Sequence, residues 1–163
     1  LQLAKAYSII VNGGYKINPT LIKRKEKKQP IRILNEDVSE KILPILRKVV
    51  TTKNGTASLA NIDGFDIGGK TGTAQKSVAG GYSKKKINTF VSVFPISKPK
   101  FVLAIMLDEP QISKDYIYNY RDGSNIKYKG TPFNTAGWTT VEVAGQIIEK
   151  IGPILATKYS EIN

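Results

Sequence analysis

The run Phe101-Val102-Leu103-Ala104-Ile105-Met106-Leu107 is apolar throughout, and it follows a turn with two prolines, Pro95 to Lys100. A strand of that kind belongs where both faces are covered, because burying one large apolar side chain is worth about 1.5–3 kcal/mol. Helices are the covering expected here. Ahead of the turn, Asn88 to Phe94 alternates and is rich in β-formers, so the two runs read as neighbouring antiparallel strands. A third extended run, Phe65 to Thr73, lies before them. The intervening Lys76 to Lys86 holds Gly80-Gly81 and Lys84-Lys85-Lys86 and has the composition of a hairpin loop. The expectation is a three-strand antiparallel meander.

Helical periodicity accounts for the remainder. Leu1, Leu3, Ala4, Tyr7, Ile10 and Val11 predict a helix over residues 1 to 12, stopped by Asn12-Gly13-Gly14. Short extended pieces, Tyr15-Lys16-Ile17 and Leu21-Ile22, flank Asn18-Pro19, and Lys23 to Lys28 reads as a solvated charge run. Val38, Ile42, Ile45, Leu46 and Val49 form the stripe of a second helix, with Asp37 and Glu40 as cap and partner. Pro44 is expected to bend it and Asn54-Gly55 to end it. Val141, Ala144, Ile148, Ile151 and Leu155 predict a closing helix from Thr135 to Leu155 whose apolar face packs on the sheet. At 163 residues this is one α+β domain, an antiparallel sheet packed by a C-terminal helix and further helices.

Charge and missing residue types narrow the chemistry. With 25 Lys+Arg against 13 Asp+Glu the formal charge is +12, which attracts nucleic acid, acidic lipid or carboxylate-bearing polymers. There is no histidine and no cysteine, so disulfides and thiolate metal sites are excluded and the commonest general base is missing. Neither a cofactor nor a metal is expected. Glu109 to Gly130 interleaves Tyr116, Tyr118, Tyr120 and Tyr128 with Arg121, Lys127 and Lys129. That pattern can stack on single-stranded nucleic acid, and it equally describes a long surface loop. No helix-turn-helix, zinc or RNA-recognition motif accompanies it, and no nucleic acid is expected as a partner. Asp108 and Glu109 adjoin at a strand end, where alternation should point them to opposite faces and rule out joint acid/base work. Trp138 reads as a packing residue. No stretch approaches the ~20 apolar residues of a membrane span, and the first residues do not resemble a signal peptide. They read as a cut through a longer protein.

One stretch carries chemistry. Gly69-Lys70-Thr71-Gly72-Thr73-Ala74-Gln75 sets a cation, two hydroxyls and a glycine along an extended backbone, a surface suited to an anionic, peptide-like ligand. Gly68, Gly69 and Gly72 are poor strand residues, and they imply that something approaches the backbone closely. What the stretch lacks is a nucleophile.

Lys-Thr-Gly alone is a weak signal. Here it stands on a strand, after Asn54-Gly55-Thr56-Ala57 and a helix, and before a two-strand meander. With Leu1-Gln2-Leu3-Ala4, Asn12-Gly13-Gly14, Pro19, Phe90 to Pro95, Asp108-Glu109-Pro110 and Asn134-Thr135-Ala136-Gly137-Trp138, the chain resembles the C-terminal part of the transpeptidase domain of class B penicillin-binding proteins. The likeness is to the septal, alphaproteobacterial type and covers nearly the whole chain. The resemblance implies serine acyl-enzyme chemistry on a D-alanyl-D-alanine stem peptide, using Ser-x-x-Lys, Ser-x-Asn and Lys-Thr-Gly. Only the third motif carries over. Lys70 would supply positive charge, Thr71 and Thr73 would bind the carboxylate of peptide or β-lactam, and the Thr73 N–H would be half of an oxyanion hole. Gly72 would let the substrate pair as an added strand.

Ser-x-Asn is absent. Ser-x-x-Lys occurs at Ser83/Lys86, Ser97/Lys100 and Ser124/Lys127, all after the Lys-Thr-Gly strand, and all expected in loops. In the family the nucleophile precedes that strand, so these are read as chance spacings. Residues 1–163 are therefore expected to be the C-terminal portion of one transpeptidase domain, inactive alone and able to dimerise or exchange strands through uncovered apolar surface. The parent is expected at the periplasmic face of the bacterial inner membrane, among cell-division proteins. Two alternatives are a D,D-carboxypeptidase, β-lactamase-like or penicillin-sensing domain, and a basic module binding nucleic acid or another anionic polymer.

Overall fold

A three-stranded antiparallel meander forms the centre of the computed structural model, which describes residues 1–22 and 29–160. Its strands are β1 (Gly68–Val78), β2 (Gly81–Phe94) and β3 (Phe101–Asp108), in the order β1-β2-β3. Helices α1 (Gln2–Val11) and α2 (Glu36–Thr51) precede the sheet, and α3 (Thr140–Ser160) closes the chain. A small antiparallel pair, β4 (Ile117–Asn119) and β5 (Lys127–Lys129), stands between β3 and α3. The α+β architecture and the meander are as expected. The charge run Lys23 to Lys28 lies outside the described residues.

The β1–β2 hairpin is longer than its composition predicts. Lys76 to Lys86 is not a loop: Gln75 pairs with Lys86, Ser77 with Tyr82 and Val78 with Gly81, leaving Ala79-Gly80 as the connection. Gly80 takes φ +85°, as tight hairpin turns require. The register shifts between Gln75 and Ser77, where the single residue Lys76 lies opposite Ser83, Lys84 and Lys85, so the bulge is on β2. At its other end β1 begins at Gly68, because Phe65 to Ile67 turn away to pack.

Helix α2 differs from its expectation in cap and in face. Asn35 is the N-cap residue, and Asp37 pairs with Lys41 at 2.8 Å within the helix. Of the expected stripe, Leu46 is buried with Ile42 packed in the same cluster as Leu43, and Val49 packs in the cluster of the buried Val50, whereas Val38 and Ile45 are exposed. The apolar face is rotated because α2 must meet α1 and the end of the sheet together. Val11, Leu46, Val93 and Ile96 form that cluster. Pro44 lies within the continuous helix, which ends at Thr51, with the Thr52 N–H on the Lys48 carbonyl.

Helix α3 covers the opposite face. Val141 and Ala144 join Val50, Ala57, Leu59, Ala60, Phe90 and Tyr118, while Ile148 joins Ile62, Ile67 and Phe94. It begins at Thr140 and not at Thr135, with a single 3-10 turn, Ala136–Trp138, ahead of it. The apolar β3 is covered less than its sequence demands. Leu103 and Ile105 face α3, Val102 reaches the α1–α2 cluster, and Ala104 and Met106 are exposed, Met106 at 69%.

Between β3 and α3 a buried ion pair does the anchoring. Arg121 and Glu142 have side chains 5% exposed, with Arg121 Nη2 2.9 Å from Glu142 Oε1. Arg121 also donates to the Leu59 carbonyl and pairs with Glu149, and the Tyr116 hydroxyl donates to Glu142. Burial pushes the Glu142 carboxyl up, but hydrogen bonds from Arg121, Gln146 and Tyr116 and the Arg121 charge outweigh it, leaving the pKa below the ordinary glutamate value. Tyr116, Tyr118, Tyr128 and Trp138 stack on one another, with Tyr118–Trp138 centroids 5.0 Å apart. These ring faces serve packing.

Candidate functional site

β1 is an edge strand: β2 pairs with one side, and no strand of the described residues pairs with the other. An open edge presents alternate backbone N–H and C=O groups outward. Along β1, Lys70 and Gly72 project to one face and Thr71 and Thr73 to the other. The two threonines line a cavity of about 330 Å3 with Thr56, Thr135, Ala136, Gly137 and Trp138.

Three stretches separated along the chain, at Thr56, at Thr71 and Thr73, and at Thr135 to Trp138, are brought together by the fold to line it. Thr56 stands between α2 and the short Ser58–Ala60 turn, and its hydroxyl lies 2.8 Å from that of Thr71. The Ala136 N–H donates to Thr73 Oγ1 at 3.0 Å, joining the turn before α3 to the strand. That turn is held from beneath by Asn88, fully buried on β2 opposite Thr73, which donates to the Asn134 carbonyl and to Thr139 Oγ1, both at 2.8 Å. Lys86 Nζ donates to Asn134 Oδ1 at 2.8 Å. Gly137 is required here, since a Cβ on it would lie 2.6 Å from the Thr56 carbonyl oxygen.

The predicted site residues are thus partly gathered. Thr71 and Thr73 share one cavity. Lys70 is exposed, and its ammonium donates to the Thr71 carbonyl at 2.7 Å. The strand glycines have a nearer explanation than a ligand. A Cβ at Gly69 would strike the Phe90 ring and the Val91 carbonyl, one at Gly68 would strike Ile96, and one at Gly72 would come within 2.5 Å of Thr89 Oγ1. Their neighbours belong to the protein itself. Thr56, Asn88, Asn134 and Ala136 carried no role in the sequence reading. A buried asparagine within an alternating strand was the available signal for Asn88. Trp138 both packs and lines the cavity.

Two further expectations need correction. Ser83 and Lys86 lie on β2 and not in a loop; Ser83 Oγ accepts from the Lys85 N–H while Lys86 is held by Asn134. Ser97 and Ser124 do sit in bends, Ser97 N–H bonded to Asp66 and the Ser124 hydroxyl to Asp122. Asp108 and Glu109 do not diverge. Glu109 takes φ +50°, which breaks the alternation, and both carboxylates reach Lys76, at 2.7 and 2.8 Å. The trio fastens β1, at the position facing the β2 bulge, to the end of β3.

Comparison with known proteins accords with this geometry. Residues 1–127 match the family model described as penicillin binding protein transpeptidase domain, and the chain belongs to that family. It is 30% identical over 169 residues to the Caulobacter vibrioides protein named probable peptidoglycan D,D-transpeptidase FtsI, covering 97% of this chain and 26% of the relative. A Neisseria meningitidis protein, probable peptidoglycan D,D-transpeptidase PenA, is 36% identical over 111 residues, covering 68% of this chain and 19% of that one. The apo transpeptidase domain of penicillin-binding protein 3 from Burkholderia pseudomallei superposes with a TM-score of 0.69 at 26% identity, over 94% of this chain and 41% of that domain. The chain therefore spans about a quarter of the Caulobacter relative's length. No helix among the described residues is long and apolar enough to cross a membrane.

Proposed function

We propose that this chain forms the substrate-docking wall of a peptidoglycan D,D-transpeptidase, the nucleophile coming from residues outside these 163. The observation that carries the reading is the convergence of the Thr71 and Thr73 hydroxyls in one cavity on an unpaired strand edge. An extended stem peptide ending in D-alanyl-D-alanine adds to β1 as a strand. Its terminal carboxylate meets Thr71 and Thr73, with Lys70 supplying positive charge nearby. The Thr73 N–H donates to the scissile carbonyl oxygen as charge develops there, and loss of such a donor costs about 3 kcal/mol of transition-state stabilisation. A β-lactam presents the same carboxylate and carbonyl to the same groups.

Alone the chain is inactive, since no Ser-x-x-Lys precedes Lys70 and no Ser-x-Asn occurs. A fluorescent penicillin is the test: the purified chain stays unlabelled, and covalent labelling would identify a serine here as a nucleophile and sink the reading. The parent works at the periplasmic face of the inner membrane in cell division. The exposed apolar residues on β3 favour dimerisation or strand exchange of the isolated chain. Light scattering at high concentration checks this, and a clean monomer counts against it.

A further inference from the structure

A threonine hydroxyl offers one hydrogen to donate and lone pairs with which to accept. Thr73 Oγ1 already accepts from the Ala136 N–H at 3.0 Å, so its hydrogen is the part left for a ligand. Thr71 depends on the direction of its 2.8 Å bond to Thr56, where either oxygen can be the donor. The Thr56 hydroxyl has no second protein partner among the described residues.

The backbone fixes Thr56 firmly at this place. A Cβ on Gly55 would lie 2.4 Å from the Val49 carbonyl oxygen, and one on Gly137 would lie 2.6 Å from that of Thr56. The Ala57 N–H donates to the Val49 carbonyl at 3.1 Å. Two glycine approaches and one hydrogen bond therefore clamp Thr56 between the end of α2 and the turn before α3.

We propose that Thr56 is a specificity-determining residue of the docking site, donating to Thr71 so that Thr71 and Thr73 both turn their hydroxyl hydrogens into the cavity. Both threonines then accept from the protein and donate to the ligand. Two converging donors match a group that only accepts, a carboxylate. A carboxamide has one accepting oxygen in place of two, and where each hydroxyl meets its own terminal atom the amide N–H faces one of the two donors. The inference rests on the docking reading above and adds to it the residue that sets carboxylate over carboxamide. Without the Thr56 hydroxyl, Thr71 can accept as readily as donate, so selectivity falls while carboxylate binding persists.

The experiment is an NMR titration of the 15N-labelled chain with acetyl-D-alanyl-D-alanine and with its C-terminal carboxamide, following the amides of Thr71, Thr73 and Ala136. In Thr56→Val the carboxylate-to-carboxamide affinity ratio is expected to fall about three- to tenfold, the worth of one net hydrogen bond. Thr56→Ser restores the ratio, and Thr56→Ala repeats the loss if the valine variant fails to fold. An unchanged ratio in both deletion variants, with the β1 amides still shifting, overturns the proposal and leaves the docking reading standing. No shift at those amides with either peptide in the unsubstituted chain overturns the docking reading itself.

Discussion

Helix α3 meets two polar networks on the face of the sheet that it covers, a rear one buried around its own Glu142 and a front one open at the β1 edge, and they are built to opposite ends. Behind, Arg121 and Glu142 are 5% exposed and their hydrogen-bonding groups converge on Leu59, Asn119, Glu149, Tyr116 and Gln146. In front, Thr56, Thr71 and Thr73 line an open cavity; Thr73 only accepts from the protein and the Thr56–Thr71 pair uses one of its two hydroxyl hydrogens, so hydrogens remain for something outside the chain. A buried polar group left unpaired costs its full desolvation, whereas an exposed one is hydrated until a ligand replaces the water. The rear network therefore holds shape, and the front one can afford incompleteness and with it recognition.

The largest expected effect breaks the rear network. Arg121→Ala leaves Glu142 buried without its partner and should cost about 3–5 kcal/mol in urea unfolding. A loss under about 1 kcal/mol would show that the pair is not the anchor. Next comes Gly137→Ala, whose methyl would meet the Thr56 carbonyl at 2.6 Å and force the turn off the strand. It should cost about 1–3 kcal/mol and shift the Thr71 and Thr73 amide resonances together. Acid separates the two networks as well. The Glu142 pKa is lowered on folding, so its stabilisation is present above the unfolded value of about 4.3 and is lost as pH falls through the lower folded value. Glu142→Gln should flatten that acid limb of the stability curve, and the threonine variants should leave it unchanged. The smallest effect on stability belongs to Thr73→Val. Thr73 is exposed and gives up only the bond from Ala136, so unfolding should change by about 1 kcal/mol or less while the peptide-induced shifts disappear.

The motif strand, the meander and the closing helix were legible because each rests on a local pattern: β-formers between turns, or apolar residues at helical spacing. The Lys76 to Lys86 segment misled because glycine and lysine composition describes a loop, while cross-strand pairing extends the hairpin almost to its tip. The covered state of β3 was misjudged for a related reason. An apolar strand records what it can bury, and Met106 is exposed because no element of the described chain packs over it. In the site, Thr71 and Thr73 could be named from the motif. Thr56 and Ala136 could not, since they are 15 and 63 residues from their partners along the chain and carry no sequence signal of that contact.

By itself the sequence determined the chemistry on offer: no histidine, no cysteine, and a Lys-Thr-Gly-Thr run on a strand with no Ser-x-x-Lys before it. Residue identity fixes which groups can donate, accept or attack, and that needs no fold. Only the tertiary structure decided which lone pairs the protein itself occupies. The Ala136 N–H reaches Thr73, Thr56 reaches Thr71, and the strand glycines make room for Phe90 and Thr89. Hydrogen bonds and close contacts act over about 3 Å and are blind to separation along the chain, so their partners are set by packing.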